Sequence, residues 1–171
     1  MKRRTLKSLR RGVEAAVVAG VPQVLLSKLE ERLILRRHGE ADLGPHLIEA
    51  LASKLKRPLP EDTKWLAAAV FHFGYSAFWG AAYALAYERK PINPWLGGLA
   101  LAGLIHVITF PRWGAAVLTG TEPSPKDRPW AKEAVLVTAP LSFGLGTALL
   151  YGHGPRRTIP DTLSSEWRTR T

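Results

Sequence analysis

Three side chains that could do chemistry lie inside or beside long uncharged stretches: His72, His106 and Arg112. An ionisable group is costly in apolar surroundings, so each of them is a functional hypothesis. Two imidazoles could titrate near neutral pH, ligate a haem from two sides or hold another metal ion. The alternative is that each ring bonds a neighbouring hydroxyl or carbonyl group and only fixes helix packing.

Hydrogen-bond partners for both rings stand nearby in the sequence. Ser76 lies one helical turn after His72, and Thr109 lies three residues after His106. Glu133 could pair with Arg112 in an ordinary interfacial ion pair. Two His without an acidic partner form an incomplete metal site, so we predict no metal and no cofactor. Because no hydrolase, P-loop, dinucleotide or zincin motif is present, we predict no catalytic residue and no enzymatic activity.

The elements that must position these residues are three stretches without formal charge. The longest, residues 65–87, would form a helix about 34 Å long, against a bilayer core about 30 Å thick. Residues 95–110 and 134–152 are also free of formal charge. A soluble domain of 171 residues is too small to bury all three helices. The pattern therefore predicts an all-α integral membrane protein, with the lipid bilayer as its main partner.

A less apolar segment after the basic N-terminus completes a predicted four-helix bundle. The short link between the second and third spans predicts an antiparallel hairpin, which would bring His72 and His106 to similar depth. In the loop between the first two spans, leucines and an isoleucine share one face of an amphipathic interfacial helix. The spans are predicted at 12–30, 65–87, 95–115 and 131–152, with the amphipathic helix near 45–57, a basic tail at 1–11 and a polar tail at 153–171.

The distribution of charge indicates a membrane rather than a nucleic-acid partner. Lys and Arg number 24 against 14 acidic residues, a formal net charge of +10, and they gather at the tails and between the apolar stretches. No basic stripe interleaved with aromatic residues is present. The dense positive charge of residues 1–11 favours a cytoplasmic N-terminus, and four spans then place both termini there. This start also resembles a signal peptide, but Glu14 and the lack of a clear cleavage site favour an uncleaved first span.

Small residues recur at helical spacing within the predicted spans. Such faces let helix backbones approach closely where lipid supplies no hydrophobic drive between helices, and they could also support a homo-oligomer. The faces are formed by Ser76, Gly80 and Ala84, by Gly98 and Ala102, and by Gly144 and Ala148.

At these residues the chain resembles the YagU-like family of bacterial inner-membrane proteins, over about residues 65–133. The run HVITFPRWG, residues 106–114, is the most specific match. Pro140 stands near the place where the family can carry a further His, so the resemblance does not imply a three-His site here. It implies a multi-pass protein of the inner membrane that is linked to acid tolerance and has no known enzymatic activity. The matching residues are His72, Ser76, Tyr83, Trp95, Gly97, Gly98, His106, Phe110, Pro111, Gly114, Pro129, Trp130 and Glu133.

Two function classes follow. The favoured one is a non-enzymatic membrane component that contributes to acid or envelope stress tolerance. The rival is a small transporter, channel or haem-binding redox protein that uses His72 and His106. One hypothesis joins acid tolerance to the two histidines. The rings of His72 and His106 face each other, and external acid protonates one of them and loosens the second helix from the third. Pro111 and Gly114 would supply the bend.

Overall fold

A computed structural model describes residues 3–35, 43–56 and 59–153, and this part of the chain is all-helical with no strand. The predicted tail after residue 153 lies outside the described residues. A π-helical turn, Glu31–Leu35, continues the first helix, and a 3₁₀ turn, Pro125–Asp127, precedes the last. The α-helices are α1 (Arg3–Glu30), α2 (Leu43–Lys54), α3 (Glu61–Arg89), α4 (Pro94–Thr109), α5 (Ala115–Leu118) and α6 (Trp130–His153).

Helix α1 lies in the middle of the packing, against α3 on one side and α6 on another. Helix α4 packs on α6, and α2 packs on α3. Gly12 lies opposite Gly80 and Gly20 lies opposite His72, so α1 and α3 run antiparallel. Helices α3 and α4 are joined by a short link, but their backbones do not pack closely on each other. Long side chains connect them instead: the Tyr75 hydroxyl lies 3.2 Å from Thr109 Oγ1.

The helix contacts are made by small residues, as the sequence predicted. A Cβ atom added at Gly12 or at Gly80 would collide with the other glycine's carbonyl oxygen, so only glycine permits this approach of α1 to α3. In the same way a Cβ atom at Gly98 would lie 2.8 Å from the Cα of Leu145 on α6. The α1–α3 and α4–α6 interfaces are therefore close backbone contacts.

Helix α4 is shorter than the predicted third span at 95–115. It ends at Thr109, with Phe110 as a C-cap residue of helical dihedral angles, because Pro111 has no N–H group to continue the helical hydrogen bonds. Helix α2 lies where the amphipathic helix near 45–57 was predicted. Helix α1 already begins at Arg3, within the predicted basic tail.

Two helical segments are long and apolar enough to cross a membrane by length and composition, Thr5–Leu35 and Trp130–Gly152. Helix α4 is apolar but shorter. Helix α3, which holds the predicted span 65–87, does not meet this standard. Its residues from Trp65 to Tyr87 carry no charge, but glycine, serine, histidine, tyrosine and tryptophan lower its mean hydropathy.

Candidate functional site

His72 lies on the face of α3 that meets α1, with its side chain half-buried. A Cβ atom added at Gly20 would lie 3.0 Å from the ring Nε2 and 3.2 Å from Ser76 Oγ. Gly20 thus makes room for both polar side chains, of which Ser76 is 1% exposed. Nε2 is buried and has no hydrogen-bond partner among the described residues. An unpaired polar atom in such surroundings lowers stability.

His106 supplies a hydrogen bond that the neighbouring helix lacks. Its Nδ1 lies 3.2 Å from the backbone oxygen of Leu136 in α6. In a regular α-helix that oxygen would accept from the N–H group four residues later, which is Pro140, and proline has none. Because a carbonyl oxygen can only accept, Nδ1 carries the proton in this contact. The ring therefore ties α4 to α6 at the place where proline interrupts the backbone bonding.

The two imidazoles have different neighbours. His72 faces α1, whereas His106 is bonded to α6. Thr109, the expected partner of His106, instead shares a hydrogen bond with the Tyr75 hydroxyl and so connects α4 to α3. Within the described ranges, no group of three or more His, Asp or Glu side chains could hold a metal ion.

The run of residues that carries the family resemblance forms the turn that ends α4. Phe110 is the C-cap residue, 4% exposed, and its side chain packs with Ala116 and Leu136. The Gly114 N–H donates to the Pro111 oxygen over 2.7 Å. A Cβ atom at Gly114 would lie 2.8 Å from the Phe110 nitrogen, so the turn requires glycine there.

Arg128 makes three hydrogen bonds that the sequence analysis missed. Its side chain is fully buried (0% exposed), and its Nε donates to the Pro123 oxygen over 2.8 Å. Its two terminal nitrogens donate to the Phe110 oxygen over 2.9 Å and to Glu133 over 3.1 Å. The predicted pairing of Glu133 with Arg112 is therefore wrong: Arg112 is exposed, and the path of the loop brings Arg128 to Glu133 instead. The fork of guanidinium donors suits several acceptors at once.

A second ion pair stands beside Arg128. Lys132 Nζ lies 3.0 Å from Glu122 Oε1, and the two side chains are 11% and 1% exposed. Both pairs join the Pro-rich segment to the first turns of α6. The clustered charges of residues 126–133 were the only sequence signal for these ion pairs. The same cluster is equally typical of a solvated loop.

Three tyrosines gather where α3 ends near the end of α6. Tyr83 and Tyr87 have ring centroids 5.7 Å and 5.2 Å from that of Tyr151. Arg11 of α1 lies over the Tyr151 ring and donates to its backbone oxygen over 3.0 Å. A cation at a helix C-terminus is favourable, so Arg11 fastens α1 to the last turns of α6. The hydroxyl of Tyr83 has no hydrogen-bond partner among the described residues.

Comparison of the chain with protein-family models, with curated proteins and with solved structures finds no match. The bonds of His106, Arg128 and Arg11 each join one segment of the chain to another. In the structure, these three side chains hold helices together and hold the loop that precedes α6 in place.

Proposed function

We propose that this chain is a non-enzymatic, multi-pass protein of the bacterial inner membrane, whose four long helices form a transmembrane bundle with both termini in the cytoplasm. One observation carries the proposal: many large apolar side chains are exposed, and alanines fill the closest helix contacts. Leu66 and Phe78 of α3 are 66% and 62% exposed, whereas Ala16, Ala84 and Ala148 are completely buried. Lipid-facing surfaces favour large apolar side chains, and membrane helix interfaces favour small ones.

The rival explanation for apolar helices is the core of a soluble protein, and burial argues against it. In the most apolar parts of α1 and α6, 28% and 50% of the residues are buried. A core helix would be mostly buried, so the exposed apolar surface needs another cover, which lipid provides. Helix α4, at 16 residues, is about 24 Å long, so the proposed third crossing includes the turn and α5. Two exposed tryptophans lie along that segment, Trp95 in the first turn of α4 and Trp113 in the turn that follows α4.

Extraction of cell membranes with alkaline carbonate tests membrane integration. We expect the full chain to stay in the membrane pellet, because helices that cross a bilayer are not released by high pH. Phe78→Asp places a charge on the exposed side of α3, near the middle of the uncharged stretch, and should lower the amount inserted. Thr63→Asp, an exposed position just before the uncharged stretch, is the matched control. Recovery of the wild-type chain in the soluble fraction would contradict the proposal.

The proposed physiological role is acid or envelope stress tolerance, which rests on the resemblance to the YagU-like family. Disruption of the gene should lower survival of the host in acid medium, and the wild-type gene should restore it. Equal survival of the disrupted and parent strains would exclude this role while leaving the membrane assignment intact.

The second candidate function is proton-linked transport through His72. The observation that favours it is the buried Nε2 of an ionisable ring, which lies at the contact of α3 with Gly20 of α1. Purified protein in liposomes that carry a pH-sensitive dye would show proton flux, and His72→Gln would abolish it. Flux without dependence on His72, or no flux, would exclude this candidate. A Soret band in the purified protein, lost in His72→Ala, would instead indicate haem.

A further inference from the structure

A pocket of about 390 Å³ lies between the C-terminal half of α2 and the start of α3. Its floor includes Ala52, which is 7% exposed, and Ser53 contributes a hydroxyl group to the wall. The wall is fixed, because α2 packs on α3: a Cβ atom at Gly44 would lie 3.3 Å from the Cβ of Ala68. The pocket is thus formed by two packed helices rather than by loops alone.

The lining carries charges of both signs: two carboxylates, Glu49 and Glu61, and two ammonium groups, Lys56 and Lys64. Lys64 Nζ lies 2.7 Å from Glu61 Oε2, and the Lys64 side chain is only 19% exposed. Trp65 Nε1 donates to the other oxygen of Glu61 over 2.8 Å. The bond from Lys64, and then that from Trp65, lowers the pKa of Glu61, while the bond from Glu61 raises the pKa of Lys64. Both groups therefore keep their charge at neutral pH.

The pocket lies at the polar end of an apolar helix. Trp65 follows directly on its last lining residue and begins the uncharged stretch of α3. Lys28 of α1 lies with its Nζ 5.8 Å from the centre of the Trp65 ring. If α3 crosses the bilayer, as proposed above, this level is the one occupied by lipid headgroups, where Trp and Lys gather.

The chemistry of the lining selects among ligands. A purely anionic ligand would meet the carboxylates of Glu49 and Glu61, and a purely cationic one would meet Lys56 and Lys64. Because Glu61 and Lys64 already bond each other, Glu49 and Lys56 are the groups that can meet a ligand with one charge of each sign. Quaternary ammonium groups are bound by aromatic cages, but none of the seven described lining residues is aromatic. A primary ammonium group, by contrast, donates hydrogen bonds to carboxylates.

We propose that this pocket binds the phosphoethanolamine headgroup of a membrane lipid, with its ammonium group at Glu49 and its phosphate at Lys56, beside the ion pair of Glu61 and Lys64. The inference rests on the proposed membrane location, since only an embedded chain holds the pocket at headgroup level.

The test uses the full chain, purified in detergent and offered equal amounts of phosphatidylethanolamine, phosphatidylcholine and phosphatidylglycerol. Native mass spectrometry measures which lipid the protein retains. We expect a preference for phosphatidylethanolamine that falls by up to about fivefold for each of Glu49→Gln and Lys56→Met, since exposed charge pairs are worth up to about 1 kcal/mol. Glu88→Gln and Lys90→Met, exposed residues at the other end of α3, are the matched controls and should change nothing.

Both pocket variants replace exposed side chains, so they should remain helical, which circular dichroism checks. Equal retention of the three lipids by the wild type, or an unchanged preference in both variants, overturns the proposal. Displacement by soluble phosphoethanolamine without any lipid preference would assign the pocket to a free metabolite and also overturn it. Carbonate extraction separates the two proposals: a chain that stays in the membrane but shows no headgroup preference disproves only this one.

Discussion

His106 of α4 and Pro140 of α6 are matched, in the sense that one supplies the hydrogen bond that the other removes. Proline leaves the Leu136 oxygen without its helical donor, and the imidazole Nδ1 takes that place. The contact accounts for a histidine on an apolar helix without any reaction or metal. It also shows why sequence spacing could not reveal the partner: the ring bonds to a residue in another helix, and only packing brings the two together.

Removing the ring tests this match. His106→Ala leaves the Leu136 oxygen without a donor and should cost about 1–3 kcal/mol of unfolding free energy. In a Pro140→Ala background the new N–H group can bond the same oxygen, so the cost of His106→Ala should be smaller there. Unfolding in detergent, followed by circular dichroism for all four combinations, measures the difference. His46→Ala, at an exposed position on α2, is the control, and an equal cost in both backgrounds would contradict the match.

The same geometry alters the hypothesis of an acid-driven switch. Nδ1 already carries its proton when it donates to Leu136, so protonation of the ring at Nε2 leaves this bond in place. The predicted facing of the two rings is also wrong, because His72 meets α1 and His106 meets α6. We therefore expect the distance between spin labels at Leu85 of α3 and Leu99 of α4 to be equal in neutral and mildly acid medium. Both positions are exposed. A separation that appears in acid and vanishes in His106→Gln would restore the switch.

Gly20 is the residue whose replacement should most disturb His72. Gly20→Ala places a methyl group 3.0 Å from the ring Nε2, and overpacking of this kind costs about 1–3 kcal/mol. Combined with His72→Ala, the same change should cost less, because the ring is gone. Gly74→Ala on α3 is the control: its Cβ atom meets nothing within 4 Å, so it should stabilise the helix slightly. Equal costs for Gly20→Ala with and without His72 would show that the ring does not lie against α1.

At the scale of elements, the segment between α4 and α6 is held by one buried guanidinium. Arg128 joins the end of α4, the Pro-rich segment and the first turn of α6 through Phe110, Pro123 and Glu133. Arg128→Met leaves the carboxylate and two carbonyl groups without this donor. Glu133 is 38% exposed and can bond water instead, so the cost, about 1–3 kcal/mol, comes mainly from the buried Phe110 carbonyl group.

Arg128→Lys should recover only part of that loss, because an ammonium group cannot reproduce the planar fork. Arg112→Met, at an exposed position on the same segment, should change stability by less than about 0.5 kcal/mol. Thermal unfolding in detergent compares the three variants. A loss for Arg112→Met as large as that for Arg128→Met would contradict the assignment of Arg128 as the fastening residue.

The helices could be predicted from the sequence better than the side chains that contact each other between them. The absence of charge from 65 to 87 and the Trp at 130 located α3 and α6, and the small-residue faces correctly predicted close helix contacts. Helix α4 ends at Thr109, before the predicted bound at 115, because Pro111 has no N–H group to continue the helical hydrogen bonds. The neighbours of His72 and the true partner of Glu133 could not be predicted, since they depend on which helix packs where and on the path of a loop.

At the scale of the whole molecule, the described chain exposes many large apolar side chains. Small residues make the closest helix contacts, and larger ones such as Leu101, Leu136 and Phe143 fill the rest of the interior, while many leucine, valine and phenylalanine side chains are exposed. Two helices have the length and composition to cross a membrane. Whether four cross depends above all on α3, whose uncharged stretch ends in charged residues on both sides, at Lys64 and Glu88.

The most direct test of the four-span account asks whether the two ends of α3 lie on opposite sides of the membrane. The chain contains no cysteine, so single replacements at the exposed positions Asp62 and Ile92 give unambiguous labels. In spheroplasts treated with a membrane-impermeant maleimide, we predict that Asp62→Cys is labelled at once and that Ile92→Cys is labelled only after permeabilisation. Labelling of both positions from the same side would show that α3 does not cross and would contradict the account.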